Sequence, residues 1–379
     1  MNVVLLLQDT RTLYGAEVAT VRLAEGLDAA GVAVRVLLMR ETRLGDGPSP
    51  LVEAFRRHVP VTELPVTGRF SRRAVAEIRE FMAREQADVL HSTGYKADWH
   101  AGMASGWGRR FPNVSTVHGW LFRWNLKERL FQALNLCALR RFSRVIVLCQ
   151  FYERYLRRHG LHPLQLARIP FGIRADDLVG RAEAESLWDQ SGEVFTFGML
   201  GRLSQEKNHV LLLRAAARLA RRIDQSPRSW RILIAGEGPL RSALECHCRR
   251  LGLSDRVTFA GWKEPRDFFR RVHVLVQCSR VENQPMSVKE AMAWMRPVIA
   301  TRAGGLPELV REGRTGWLIR NGSVRDLSNA LHECLVRPEV ARETGRRGRE
   351  VLERDYPYAP MIEDHLGVYE TAMRSPPRS

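Results

Sequence analysis

The sequence predicts an α/β protein built from two Rossmann-like, doubly wound domains facing each other across a cleft. Three observations carry that reading. Its 379 residues exceed what one hydrophobic core usually organises. Short apolar or β-branched runs alternate with longer stretches of helical spacing, the signature of a parallel sheet with crossover helices. The alternation then stops in an acidic, glycine-containing stretch and begins again.

In chain order, the first strands are expected at Val3 to Leu7, Ala33 to Met39, Asp88 to His91, Val114 to Val117 and Val145 to Leu148. Helical spacing between them runs over Ala16 to Ala29, Arg72 to Arg84 and Asn125 to Arg140, long enough for crossovers. Residues 1–174 form the first expected domain. The stretch 175–192, poor in β-branched residues, is the expected linker. The second domain, 193–355, restarts with strands at Val194 to Leu200, Arg231 to Ala235, Val257 to Phe259, Val272 to Val276, Val298 to Ala300 and Trp317 to Ile319. From Ser323 the pattern is consecutive helices. Pro357 and Pro360 interrupt it before a last helix in 356–379, expected to pack back on the first domain and to fray from Arg374.

Lysine and arginine outnumber aspartate and glutamate by 59 to 42, a net charge of +17 that favours phosphates, nucleic acid or an anionic membrane surface. The basic residues are dispersed and form no binding motif, which argues against nucleic acid. Six cysteines in this length predict no disulfide framework, and Cys246-His247-Cys248 lacks the second ligand pair that zinc needs. The opening run is too short for a signal peptide and no stretch approaches a membrane span, so a cytoplasmic protein is expected, with peripheral membrane attachment left open.

Ligands of open parallel sheets bind beyond the carboxyl ends of the strands, so the strand exits are the informative segments. Gly201-Arg202-Leu203-Ser204-Gln205-Glu206-Lys207-Asn208 places a planar guanidinium and a mobile ammonium at one exit, ahead of a helix that Asn208 is suited to cap. Such a pair suits a diphosphate; a solvated surface loop is the other reading. Glu282-Asn283-Gln284-Pro285-Met286-Ser287-Val288-Lys289-Glu290 sets two carboxylates eight positions apart, the second in a helix's opening turn. Helix N-termini attract phosphate, although Glu290 alone also reads as a complement to the helix dipole. Gly304-Gly305-Leu306-Pro307-Glu308 and Ala235-Gly236-Glu237-Gly238-Pro239 permit close backbone approach to a ligand, or are ordinary tight turns.

Together these segments, with Glu290-Ala291-Met292-Ala293 and Pro297-Val298-Ile299-Ala300, resemble the retaining glycosyltransferases of the GT-B fold, family 4 (glycosyl transferases group 1). The first half resembles them more loosely, through Tyr14-Gly15-Ala16-Glu17, His91-Ser92-Thr93-Gly94-Tyr95 and Val117-His118-Gly119. The resemblance implies an acceptor-binding first domain and a nucleotide-sugar-binding second one. It implies that Gly15 gives the donor phosphate room and that His118 reaches the transferred sugar. Arg202 and Lys207 would hold the diphosphate, Glu282 would orient the sugar, and Glu290 would lie near the ribose. Where the family usually has Gly-Phe-Gly after the first glutamate, this chain has Asn283-Gln284-Pro285, and Pro285 has no N–H to donate. Met286 and Ser287 are then the nearest amide donors. Trp294-Met295-Arg296 also departs from the small residues often found there, for no reason visible in the sequence.

The expected reaction is transfer of a sugar with retention from a UDP- or GDP-sugar to a saccharide or lipid-linked acceptor, in cell-surface polysaccharide or lipopolysaccharide synthesis. No bound cofactor or metal is expected, since the chain has no Asp-x-Asp. The segment Trp120 to Phe131 mixes aromatics, aliphatics and cations, and reads either as an interfacial amphipathic helix or as a helix packed on the sheet. A nicotinamide oxidoreductase is disfavoured because Gln8-Asp9-Thr10-Arg11-Thr12-Leu13-Tyr14-Gly15 is not a three-glycine turn. An inert GT-B nucleotide-binding scaffold, or a phosphorylase or epimerase of related fold, is the alternative.

Overall fold

The computed structural model of the chain describes residues 1–11, 13, 15–44, 47–119, 126–190, 194–222 and 229–374. It divides into unit 1, Met1–Gly172 with Tyr358–Ser379, and unit 2, Ile173–Pro357.

Unit 1 opens with β1 (Asn2–Gln8), α1 (Gly15–Ala29), β2 (Ala33–Glu41), α2 (Pro50–Arg56) and β3 (Val61–Val66). It continues through α3 (Arg72–Arg84), β4 (Val89–Thr93), α4 (Tyr95–Ala104), β5 (Asn113–Val117), α5 (Leu126–Leu139), β6 (Arg144–Val147), α6 (Gln150–Arg158) and β7 (Leu166–Arg168). The strands are parallel in the order β3-β2-β1-β4-β5-β6-β7, so the direction of winding reverses at β1. The composition of β1 follows from its place. Val3, Leu5 and Leu7 pack with Leu23 and Leu27 of α1, while Val4 and Leu6 pack with Ile78 and Phe81 of α3. With both faces covered, the strand is apolar from Val3 to Leu7 instead of alternating. Sequence periodicity missed β3 and β7: Pro65 and Glu63 disguise the one as a loop, and three residues are too few to signal the other.

Unit 2 runs α7 (Arg181–Gln190), β8 (Phe195–Leu200), α8 (His209–Arg222), β9 (Trp230–Ala235), α9 (Arg241–Arg250), β10 (Val257–Phe259) and α10 (Pro265–Phe269). Then follow β11 (Val274–Gln277), α11 (Met286–Ala293), β12 (Val298–Thr301), α12 (Leu306–Leu309), β13 (Gly316–Ile319), α13 (Val324–Val336) and α14 (Pro338–Asp355). Its parallel sheet has the order β10-β9-β8-β11-β12-β13, with the reversal at β8. Phe195, Phe197 and Met199 of β8 pack beside Leu212 and Leu219 of α8; Leu275 of β11 joins Val288 and Met292 of α11 on the other side.

The final helix α15 (Tyr358–Arg374) belongs to unit 1. Met361, Ile362, His365, Val368, Tyr369 and Ala372 form its buried face. Gly26 of α1 makes room for it: a Cβ there would lie 2.5 Å from Ile362 Cδ1 and from Tyr358 Oη.

Three local expectations change. Residues 175–192 do not run as an open linker. Within them α7 buries Ala184 and Trp188, because apolar residues at helical spacing find the unit 2 core. Asn208 does not take an extended N-cap conformation; its φ is +58° and α8 starts after it. Trp294-Met295-Arg296 acquires a reason: Arg296, 1% exposed, donates to the carbonyls of Phe269 and Ala184 at 3.3 Å each and lies over the Trp188 ring. The Phe269 carbonyl ends α10 and has no N–H further along that helix to bond, so the arginine gives a buried helix end its partner.

Candidate active site

In unit 2 the exits of β8 and β11 are neighbours, because those strands pair at the reversal of the sheet. The ammonium of Lys207, from the β8 exit, forms an ion pair with the Glu282 carboxylate, from the β11 exit. Glu282 Oε1 also accepts from Gln277 Nε2 at 2.8 Å and from Ser279 Oγ at 2.7 Å. The pair remains accessible, with side chains 22% and 12% exposed for Lys207 and Glu282. Arg202 stands exposed in the Lys207 loop.

The backbone of this site is held by glycines. Gly304, at φ +54°, lies so close to Glu282 that a Cβ would sit 1.7 Å from the Glu282 carbonyl oxygen, and the Gly305 N–H donates to that oxygen at 3.1 Å. Gly236 approaches Gly201 in the same way, with 2.1 Å from an added Cβ to the Gly201 oxygen. Both glycine turns therefore brace the neighbouring loop.

Pro285 caps α11, and Met286 and Ser287 form its first turn, whose amides have no acceptor in the preceding turn of helix. Ser287 Oγ donates to Gln277 Oε1 at 3.3 Å, joining the turn to the Glu282 network. Glu290 lies one turn further, half-buried. The altered loop turns Gln284 inward: its side-chain oxygen accepts from Lys289 Nζ at 2.9 Å, and the lysine is fully buried against the Tyr356 ring. Burial holds the Lys289 ammonium well below its ordinary pKa.

Unit 1 has a pocket of about 250 Å³ beyond the carboxyl ends of β1, β4 and β5. His118 lines it and stacks on Phe171 with ring centroids 5.3 Å apart. Burial first, then the neighbouring His365, push its imidazole down to about 4, so it is neutral at pH 7. Gly15 opens α1, and its neighbours Ala16 and Glu17 line the pocket; Tyr14 lies outside the described residues. Sequence reasoning stopped at Tyr95 and missed the two charged groups just beyond it. Lys96, 3% exposed, pairs with Glu41 at 3.0 Å. Asp98, 2% exposed, accepts from Ser92, Ser115 and Asn135 at 2.7, 2.7 and 2.8 Å. Burial outweighs those three donors and lifts its carboxyl to about 6.

The amphipathic segment expected from Trp120 lies outside the described residues as far as residue 125; α5 follows. Among the described residues no helix is long and apolar enough to cross a membrane, and no three His, Cys, Asp or Glu side chains gather where a metal would bind.

The sequence profile described as Glycosyl transferases group 1 matches residues 185–351, and that described as Glycosyltransferase Family 4 matches residues 14–177. The D-inositol 3-phosphate glycosyltransferase of Gordonia bronchialis is 35% identical over 196 residues, 49% of this chain and 42% of that protein. The lipopolysaccharide core biosynthesis glycosyltransferase LpsE of Rhizobium meliloti is 30% identical over 154 residues, 40% of this chain and 43% of that protein. The matches to curated relatives thus span only about half of those proteins or less. The crystal structure of Anabaena Alr3699/HepE in complex with UDP and glucose shares the fold over 97% of this chain and 99% of that one, with a TM-score of 0.80 and 22% identity. With these two profiles matched in succession and two parallel Rossmann-like sheets of the GT-B kind, the chain belongs to the group 1 glycosyltransferases of family 4.

Proposed function

We propose that the chain is a retaining, metal-independent glycosyltransferase that moves a sugar from a UDP- or GDP-sugar to a saccharide or lipid-linked acceptor. The observation that carries this reading is the Lys207–Glu282 pair beside exposed Arg202 and the first turn of α11. A departing nucleoside diphosphate gathers negative charge on its oxygens, and preorganised cations with a helix N-terminus stabilise that charge most as it develops. Arg202 supplies a planar fork for two oxygens. Lys207 supplies a mobile charge shared with Glu282, whose carboxylate orients the donor sugar. Met286 and Ser287 offer amides to the phosphates and Glu290 lies toward the ribose. In unit 1, Gly15 leaves room for phosphate and the neutral His118 meets a sugar hydroxyl, with the acceptor in the unit 1 pocket.

The Anabaena neighbour was solved with UDP and glucose, which supports trying uridine nucleotides first. The lipopolysaccharide-core relative supports a role in cell-surface polysaccharide or lipopolysaccharide assembly. A cytoplasmic site of action, peripheral on an anionic membrane face, agrees with the net charge of +17.

Thermal-shift binding of UDP, GDP, ADP and their common sugar conjugates, with and without EDTA, tests the donor site. Selective stabilisation by one nucleotide that EDTA leaves unchanged is expected. No stabilisation at millimolar ligand would overturn the reading in favour of an inert scaffold.

A further inference from the structure

Lys289 is an anomaly beside the donor site. It is the fourth residue of α11 and fully buried, and burial holds its ammonium well below the ordinary pKa. Its hydrogen bond at 2.9 Å goes to the neutral amide oxygen of Gln284, which is buried too. Its Nζ also lies 4.6 Å from the centre of the Tyr356 ring. A lysine in such surroundings costs stability relative to an apolar side chain of similar size. Local rules are broken in this way chiefly at functional sites, where stability is given up for geometry.

What the side chain reaches explains its place. Gln284 lies two residues after Glu282, in the loop between β11 and α11, and its side chain folds back onto the helix to meet Lys289. The Glu282 carbonyl is held separately, by the Gly305 N–H at 3.1 Å. Gly305 leads into α12, whose Glu308 carbonyl accepts from the Tyr356 hydroxyl at 3.2 Å. Tyr356 thus touches α12 with its hydroxyl and Lys289 with its ring. The contacts close a circuit within unit 2: Glu282 to Gly305, α12 to Tyr356, Tyr356 to Lys289, and Lys289 through Gln284 back to the loop that carries Glu282. A backbone held at two points resists the rotation that either hold alone permits.

We infer that Lys289 is a positioning residue for the transfer reaction: by holding Gln284 it fixes the loop from Glu282 to Pro285, and with it the direction in which the Glu282 carboxylate meets the donor sugar. That role rests on the transferase reading above; the fastening of the loop does not. Arg202 and Lys207 come from the β8 exit, so nucleotide affinity changes little when the loop is released.

Amide hydrogen exchange read by mass spectrometry follows the loop in the ligand-free full chain. Lys289→Met keeps the side-chain length and loses the donor; it should speed exchange across residues 282–288 by about fivefold or more and leave α8 and α13 as they are. Gln284→Met removes the acceptor and should do the same, which covers a Lys289→Met protein that fails to fold. The double variant should exchange no faster than the faster single one, because both substitutions remove the same bond. Hydrolysis of a donor needs no acceptor, and UDP-glucose, GDP-mannose and ADP-glucose are the probes. With the one that wild type cleaves, Lys289→Met should lower kcat about tenfold while calorimetry finds the affinity for its nucleoside diphosphate within about twofold of wild type. Unchanged loop exchange in both variants, or faster loop exchange with kcat unchanged, would overturn the inference. So would acceleration spread over all of unit 2 with a lower melting temperature, the mark of a packing residue. Were wild type to cleave none of the three, the positioning role would fall with the transferase reading, and the exchange result alone would decide whether the pair fastens the loop.

Discussion

Lys207 and Glu282 are 75 residues apart in sequence, yet they pair at the carboxyl end of the unit 2 sheet, each projecting from the exit of a neighbouring strand. The ammonium neutralises a carboxylate already gripped by Gln277 and Ser279, so Glu282 is positioned before any ligand arrives. A diphosphate would share that ammonium. Lys207→Ala should lower kcat/KM by about 10- to 100-fold, the loss of one charge-assisted contact of roughly 1.5–3 kcal/mol. Steady-state kinetics with the nucleotide sugar identified by thermal shift check it; unchanged kinetics remove Lys207 from the site. Glu282→Ala should lose transfer and keep nucleotide binding, a split that calorimetry on the variant reads.

Gly304 sets the distance between two loops of that site. Gly304→Ala would drive a methyl into the Glu282 carbonyl, 1.7 Å away, at a φ of +54°. Gly313→Ala imposes the same left-handed strain, φ +67°, with nothing within 4 Å of the new carbon. The control should cost about 1 kcal/mol, the usual penalty of a side chain in this conformation. Gly304→Ala should cost clearly more and abolish transfer. Equal melting temperatures for the two variants would show that the loop relaxes freely.

Lys289 is fully buried, and desolvation holds its pKa well below the ordinary value for lysine. A lysine with a depressed folded pKa contributes its stability above the unfolded value, near 10.4, and loses it as pH falls. At pH 7 its burial is therefore a cost. Lys289→Met should raise stability at pH 7 by about 1 kcal/mol, roughly 2–4 °C for a unit of this size, and the gain should shrink toward pH 10. Urea unfolding at the two pH values decides it; a variant less stable at pH 7 would mean that the contact with Gln284 outweighs the desolvation.

His365 of α15 is 1% exposed, its Nδ1 is 2.7 Å from the Met361 carbonyl oxygen, and burial lowers its pKa to about 4. Burial lowers His91, its neighbour in unit 1, as well. A neutral buried imidazole stabilises above the unfolded pKa of about 6.5, and that contribution is lost as pH falls toward the folded value. Unit 1 should therefore weaken between about pH 6.5 and 4, by up to roughly 1.4 kcal/mol per pH unit for each imidazole. His365→Leu should flatten that slope by about one proton. Denaturant titrations at pH 7, 6 and 5 measure it, and an unchanged slope would exclude His365 as a source.

Much of the fold was legible because parallel strands covered on both faces are short apolar runs, and the crossovers between them are long helices. Val3 to Leu7 and Val194 to Leu200 are runs of this kind, and they became β1 and β8. Edge elements were not legible: Pro65 in β3 and the three residues of β7 carry no periodicity. The linker expectation at 175–192 failed in part because an acidic composition hid Ala184 and Trp188, two residues of the core.

The candidate site divides along the same line. Read alone, the sequence determined the family and the strand-exit segments, since glycines, cations and carboxylates cluster within a few residues of each strand end. Only tertiary structure decided which segments meet. The pairing of β8 with β11 brings Lys207 to Glu282 and adds Gln277 and Ser279, which no motif marked. The pairing of β4 with β5 lets Ser92 and Ser115 converge on Asp98, and Asn135 reaches it from α5. Local spacing encodes what a segment is, through propensity and burial. Which segments become neighbours is set by strand order, a property of the packed sheet that no short stretch of sequence contains.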